Sequence, residues 1–289
     1  MKRKRQNERV TVGVIGGSGL YDIEGLTSTR SIRVRTPFGA PSDAITVGWL
    51  EGIRVAFLSR HGRGHLLNPS GINYRANIFA LKSLGVSHVI SVSAVGSMKE
   101  SIHPGDVVVP DQFIDLTKRR VSTFFDEGLV AHVAFSDPVC EKMAACLAGA
   151  ARTVGARVHE RGTYVCIEGP QFSTRAESLL YRSWAVSVVG MTAMPEAKLA
   201  REAELPYACL ALATDYDCWH TAGEPVTVEA VVAVMNKNVA TARRVIAEVA
   251  RTLPDAATSR AHGALTGATM TAPHAVSEEA KKKLDWLLK

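Results

Sequence analysis

Thr11-Val12-Gly13-Val14-Ile15-Gly16-Gly17-Ser18-Gly19-Leu20 is an apolar, β-rich run that breaks into glycines. A short apolar run bounded by turn residues reads as a buried strand, and the glycine turn behind it marks the strand's end. The pattern recurs at residues 54–59, 88–93, 106–109, 186–189 and 208–213, each bounded by Gly, Pro or polar residues. Helical patterns lie between several of these runs. Residues 73–84 stop at Gly85, a C-cap residue, and residues 174–184 open on Thr174 with Glu177 at the capping-box spacing. Behind Thr227, a candidate cap, the apolar residues Val228, Val231, Val232, Met235, Val239, Ala242, Val245, Ile246 and Val249 recur at three- and four-residue steps, which predicts an amphipathic helix. Such alternation predicts an α/β fold: a single domain with a central mixed, largely parallel β-sheet flanked by helices on both faces.

Working outward from that core, residues 1–10 are expected to form a basic, disordered leader. They carry +4 of the chain's net +6, so the rest is nearly balanced. With aromatics at only 6% and no basic stripe, the body gives no sign of a nucleic-acid surface. Residues 11–252 contain neither a repeat nor a Pro/Ser-rich linker and read as one domain. Residues 253–289 read as a loose connector and a short C-terminal helix, with Ala280, Leu284, Leu287 and Leu288 on one face. No apolar run approaches the roughly 20 residues of a membrane-spanning helix. Nor does a signal-peptide core follow the leader, so a soluble, cytoplasmic protein is expected. The five cysteines form no C-x-x-C pair, which argues against a disulfide framework or a zinc site.

Six segments carry polar chemistry next to these elements. The Gly16–Gly19 turn with Ser18 suits either an anion or a plain tight turn. A dinucleotide motif beginning at Gly17 would need glycine where Asp22 stands. Arg60 and His61 follow a strand end, where a planar guanidinium suits phosphate; the flanking arginines oppose a metal at His61 and His65. Ser93 and the N–H of Ala94 offer donors at another strand end, where the small residues equally suit tight strand packing. Phe172 and Ser173 precede the Thr174 cap, where Phe172 either stacks on a flat base or staples the helix to the core. Thr192 opens a helical pattern, with Met191 before it as sugar contact or core. Asp215 and Asp217, two residues apart beyond residues 208–213, project to one side in extended geometry, where they can address neighbouring nitrogens of a purine, hold a metal or form a solvated acidic turn.

Taken together, these segments resemble the purine nucleoside phosphorylase family, and its methylthioadenosine phosphorylase branch in particular. The resemblance spans roughly residues 10–252. It rests on Gly16-Gly17-Ser18-Gly19, Thr36-Pro37-Phe38-Gly39, Ser59-Arg60-His61-Gly62, Asn73-Tyr74-Arg75-Ala76-Asn77, Pro104-Gly105-Asp106, Asp111-Gln112-Phe113-Ile114-Asp115, Ile167-Glu168-Gly169-Pro170 and Thr214-Asp215-Tyr216-Asp217-Cys218-Trp219. It implies a homotrimer with active sites near subunit interfaces, and a phosphate site of Ser18, Arg60, His61, Ser93, Ala94 and Thr192. Met191 would then line the ribose, and Phe172, Ser173, Asp215 and Asp217 the purine. Val228, Val231 and Val232 would form a 5'-methylthio pocket that His132 enters from a neighbouring copy. Asp215, Asp217 and His61 would carry catalysis, with inorganic phosphate as co-substrate and no cofactor, metal, nucleic acid or membrane partner.

Two departures stand out: Ser18 and Ser93 occupy positions where many members have Thr, and the segment after Pro254 matches poorly. Rival expectations are a phosphorylase acting on 6-oxopurine nucleosides or methylthioinosine, a dinucleotide-dependent oxidoreductase, and a non-catalytic nucleoside-binding protein.

Overall fold

The computed structural model describes residues 10–17, 19–20, 22–126, 128–220 and 228–288, the side chains of 228–232 excepted. In chain order the elements are β1 (Val12–Gly16), β2 (Thr27–Ile32), β3 (Ile45–Leu50), β4 (Ile53–Ser59), α1 (Tyr74–Ser83), β5 (His88–Ser97), β6 (Val107–Val109), β7 (Gln112–Asp115), α2 (Glu141–Thr153), β8 (Val158–Glu160), β9 (Thr163–Cys166), α3 (Arg175–Ser183), β10 (Val188–Gly190), α4 (Ala193–Glu202), β11 (Tyr207–Tyr216), α5 (Val228–Thr252) and α6 (Glu278–Leu284). Asn73 caps α1 by accepting from the N–H of Ala76, and Thr174 with Glu177 forms the expected capping box on α3. The cap expected at Thr227 falls outside the described residues.

All the strands join one mixed sheet in the order β2-β3-β4-β1-β5-β10-β9-β7, with β11, β6 and β8 branching from β5. Parallel pairs run β4-β1-β5-β11 through its centre, while β2, β3 and the β5–β10 junction are antiparallel. On β1, Ile15 faces one apolar cluster while Val12 and Val14 face another. Helices α1 and α4 cover the first face through residues such as Ile78, Phe79, Ala197 and Leu199. Helices α2 and α5 cover the second through Met143, Leu147, Val245 and Ile246. Burial on both faces explains why the central strands read as continuous apolar runs. The fold is thus the single α/β domain expected.

Elsewhere the pattern is weaker, and the structure adds strands that periodicity did not predict. β2 (Thr-Ser-Thr-Arg-Ser-Ile) is almost wholly exposed at the sheet edge, and β8 is only three residues long. The apolar stripe of α5 also divides. Ala242, Val245, Ile246 and Val249 are buried, whereas Met235 is exposed and a polar residue, Asn238, is buried in the preceding turn. Residues 253–288 lie against the body: Leu284 and Leu287 join the first apolar cluster, and Leu288 stays exposed. No described helix is long and apolar enough to cross a membrane.

One buried ion pair ties the strand ends to a helix. The Arg60 guanidinium, directly after β4, donates to Glu196 of α4 through Nε at 2.9 Å and Nη2 at 3.1 Å. It also donates to the carbonyls of Ile15 in β1 and Val92 in β5, and to Ser91 Oγ. Both side chains are out of water, at 3% and 0% exposure. Losing one partner would leave an uncompensated buried charge. Glu196→Ala is therefore expected to lose about 3–5 kcal/mol in urea unfolding, and a loss under about 1 kcal/mol would contradict this account.

Candidate active site

β1 and β4 end in register at Gly16 and Ser59, while β5 and β11 run on past them to Ser97 and Tyr216; open α/β sheets place ligands beyond such strand ends. The turn after β1 brings Gly17 and Gly19 there, and Arg243 of α5 holds it by donating Nε and Nη2 to the Gly19 carbonyl at 2.9 and 2.6 Å. Ser18 lies outside the described residues. Arg60 points inward, yet among the described residues Nη1 bonds only to Val92 O, so one of its N–H groups remains for an anion. Burial opposes its charge, but the attraction and hydrogen bonds of Glu196 outweigh this and raise the pKa above the ordinary value.

His61 is half-buried. Burial, against the opposing effect of a hydrogen bond to the Leu67 carbonyl and with help from the nearby Arg60 charge, lowers its pKa to about 4. A carbonyl only accepts, so Nδ1 must carry the proton in its 2.8 Å contact with Leu67 O. In the neutral ring Nε2 is then an acceptor. Ser93 and Thr192, from β5 and the start of α4, are both buried with their hydroxyls 2.8 Å apart. Ala94 is exposed beside Ser93. Hydroxyls, a backbone N–H and a partly engaged guanidinium are thus present here, groups whose chemistry suits an oxyanion.

At the other end, β11 slips register against β5 between Ala213 and Asp215. Such a bulge re-aims the residues that follow. Asp215 Oδ1 and Asp217 Cβ both lie 3.4 Å from where a Cβ on Gly96 would stand, so both acids border the same glycine. Burial raises the Asp215 pKa; a 2.6 Å hydrogen bond from Thr214 opposes this and the Asp217 charge adds to it. Among the described residues Asp217 Oδ2 and Ser173 Oγ are buried without a hydrogen-bond partner. An orphaned buried polar atom costs about 1–3 kcal/mol, which a ligand with matching groups would recover. The Cys218 thiol donates to the Ser173 carbonyl, linking the two loops that hold these atoms.

Phe172 is 86% exposed, which excludes the staple to the core and leaves a free aromatic face at the rim. Met191 is half-buried and packs against Gly169, whose φ of 65° lies in the left-handed region that favours glycine. Not every expected residue converges. His132 is exposed, its N–H bonded to the Ala268 carbonyl, and is not joined to the site within one chain. The side chains of Val228, Val231 and Val232 lie outside the described ones. Sequence reasoning gave no role to Glu196, Thr214, Arg243 or Arg120. A carboxylate three residues into a helix carries no sign of its partner, and Arg120 closes the run Lys118-Arg119-Arg120 with nothing to set it apart.

Among the described residues no cluster of three or more metal-binding side chains occurs. A groove of about 570 Å3 lined by Asp111, Cys140, Arg161 and Arg201 lies apart from these residues. Its acids and bases are equal in number, so it offers an anion no advantage.

Fold and site together define a member of the phosphorylase superfamily, whose family model matches residues 11–251. The chain is 55% identical to the S-methyl-5'-thioadenosine phosphorylase of Geobacter sulfurreducens, covering 96% of this chain and 97% of that one. The corresponding protein of Synechocystis is 54% identical, with 96% and 86% covered. A crystal structure of methylthioadenosine phosphorylase from an antarctic soil metagenomic library superposes with a TM-score of 0.93 at 50% identity, covering 98% of this chain and 100% of the other. The Schistosoma mansoni enzyme in complex with adenine gives a TM-score of 0.84 at 36% identity, covering 91% and 99%. The chain belongs to the S-methyl-5'-thioadenosine phosphorylase family.

The raised pKa of Asp215 has a consequence that requires no substrate. The folded state holds its proton more tightly than the unfolded chain, so this residue destabilises the fold as pH rises through the raised pKa. Asp215→Asn is expected to melt higher than wild type at neutral pH, with the gain vanishing below the ordinary carboxylate range. Parallel melting curves for the two proteins across that interval would contradict the raised pKa.

Proposed function

We propose that this protein cleaves the N-glycosidic bond of 5'-methylthioadenosine with inorganic phosphate, giving adenine and 5-methylthioribose 1-phosphate. The observation that carries this reading is the pair of unpartnered buried atoms, Ser173 Oγ and Asp217 Oδ2, beside an acid whose environment favours its protonated form. The activity named for the relatives agrees with it.

Phosphate binds to the hydroxyls of Ser93, Thr192 and Ser18, the N–H of Ala94 and the free N–H of Arg60. Neutral His61 accepts the hydroxyl proton of hydrogen phosphate at Nε2. These groups hold the nucleophile on the face of the sugar opposite the base. As the glycosidic bond lengthens, the sugar gains cationic character and the anion stabilises it. Asp215 gives its proton to N7 so that adenine leaves neutral, and the proton that phosphate loses restores the balance. The Asp217 side chain accepts from the 6-amino group; a 6-oxopurine would set a carbonyl against it, which disfavours that substrate class. Phe172 and Met191 cover the base and ribose. Val228, Val231 and Val232 take the methylthio group, with His132 supplied by a second copy in a homotrimer. Five free cysteines agree with a reducing, cytoplasmic setting.

Adenine release from methylthioadenosine, followed with and without phosphate, tests the reading: strict phosphate dependence is expected, and equal rates would overturn it. Asp215→Asn is expected to lower kcat by about a hundredfold or more while KM moves only a few-fold. Near-normal turnover in that variant would remove the proton-donor role.

A further inference from the structure

We infer that Arg120 is a positioning residue that locks the loop bearing the base contacts to the loop bearing the sugar and phosphate contacts; the inference builds on the proposed reading of the site. Strands β9 and β10 run parallel, and their last shared bond links the Ile167 N–H to the Gly190 carbonyl. Beyond it the chains part, one toward Phe172 and Ser173, the other through Met191 and Thr192. Arg120 bridges them there. Nη1 donates to the carbonyls of Met191 and Met194, both at 2.6 Å, and Nη2 to the carbonyl of Glu168 at 2.6 Å.

The geometry requires a planar cation. Carbonyls from two loops converge on one guanidinium whose side chain is 1% exposed, so their mutual repulsion is not relieved by solvent. The Met194 carbonyl is available because the backbone leaves helical geometry at that residue. Nε lies 3.6 Å from Glu168 Oε1, close enough for attraction but too far for a hydrogen bond. The Glu168 carboxylate is itself held by Ser70 Oγ and by the N–H groups of Lys118 and Arg119. Two Nη atoms in a fixed fork can serve both loops at once, whereas the single nitrogen of lysine can satisfy only one side well.

The test measures adenine affinity by calorimetry on folded wild type, Arg120→Lys and Glu168→Gln, each checked by circular dichroism, with phosphate-dependent turnover in the same preparations. Arg120→Lys is expected to bind adenine about tenfold or more weakly, the equivalent of one lost charge-assisted hydrogen bond. Glu168→Gln weakens the tie between the base loop and residues 118–119, so it should weaken adenine several-fold and leave the KM for phosphate within about twofold. A purely structural role would lower the melting temperature while leaving both constants of the folded protein unchanged, and that result would overturn the inference. If Arg120→Lys does not fold, Glu168→Gln decides alone: unchanged adenine affinity, or a shift confined to phosphate, rejects the lock. Wild type that neither binds adenine nor turns over would instead reject the reading of the site, and this inference with it.

Discussion

A guanidinium shut away from water persists only beside a carboxylate, and the Arg60–Glu196 pair meets that condition where β1, β4, β5 and α4 converge. The pair fixes more than stability. By accepting Arg60 at Val92 O and Ser91 Oγ, β5 is held where Ser93 meets Thr192. Because Glu196 largely cancels the Arg60 charge, the oxyanion end rests on hydroxyls, backbone N–H groups and one remaining guanidinium N–H rather than on a cluster of cations. Neutral His61 fits that pattern, since its Nε2 offers an acceptor and not a second charge.

The base end follows a different logic. There the fold leaves polar atoms unsatisfied and keeps an acid in surroundings that disfavour its ionised form. Both conditions weaken the fold, and a purine carrying a ring nitrogen to protonate and an amine to donate would relieve both, as the proposed function requires. Helix α5 couples the two ends: Arg243 holds the glycine turn at Gly19, and Asn238 donates to the Ala213 carbonyl at the β11 bulge. A shift of this helix would therefore move the anion turn and the carboxylate pair together.

Much of this was legible in the sequence, for physical reasons. The central strands are buried on both faces, so they appear as unbroken apolar runs, and the polar residues at their ends mark the ligand side of the sheet. The capping box at Thr174 and the carboxylate pair at Asp215 and Asp217 are local patterns that need no tertiary knowledge. Edge strands such as β2 bury almost nothing and left no periodic trace. The stripe on α5 is misleading at Met235, which is exposed while polar Asn238 is buried. Roles set by a distant partner were invisible. In the sequence Arg60 is a free phosphate fork, whereas in the fold Glu196 holds it; Phe172 fits staple and stacking face alike, and only its exposure separates the two.

The central claim is that one side of the sheet holds a purine at the Ser173–Asp217 pair and an anion at the Ser93–Thr192 pair. Its most direct test is a crystal structure of the protein with adenine and phosphate bound. The account predicts Asp217 Oδ2 and Ser173 Oγ within hydrogen-bond distance of the base, Asp215 beside N7, and phosphate against the paired hydroxyls with His61 Nε2 facing a phosphate oxygen. Adenine seated elsewhere, with Ser173 Oγ and Asp217 Oδ2 still unpartnered, would contradict it.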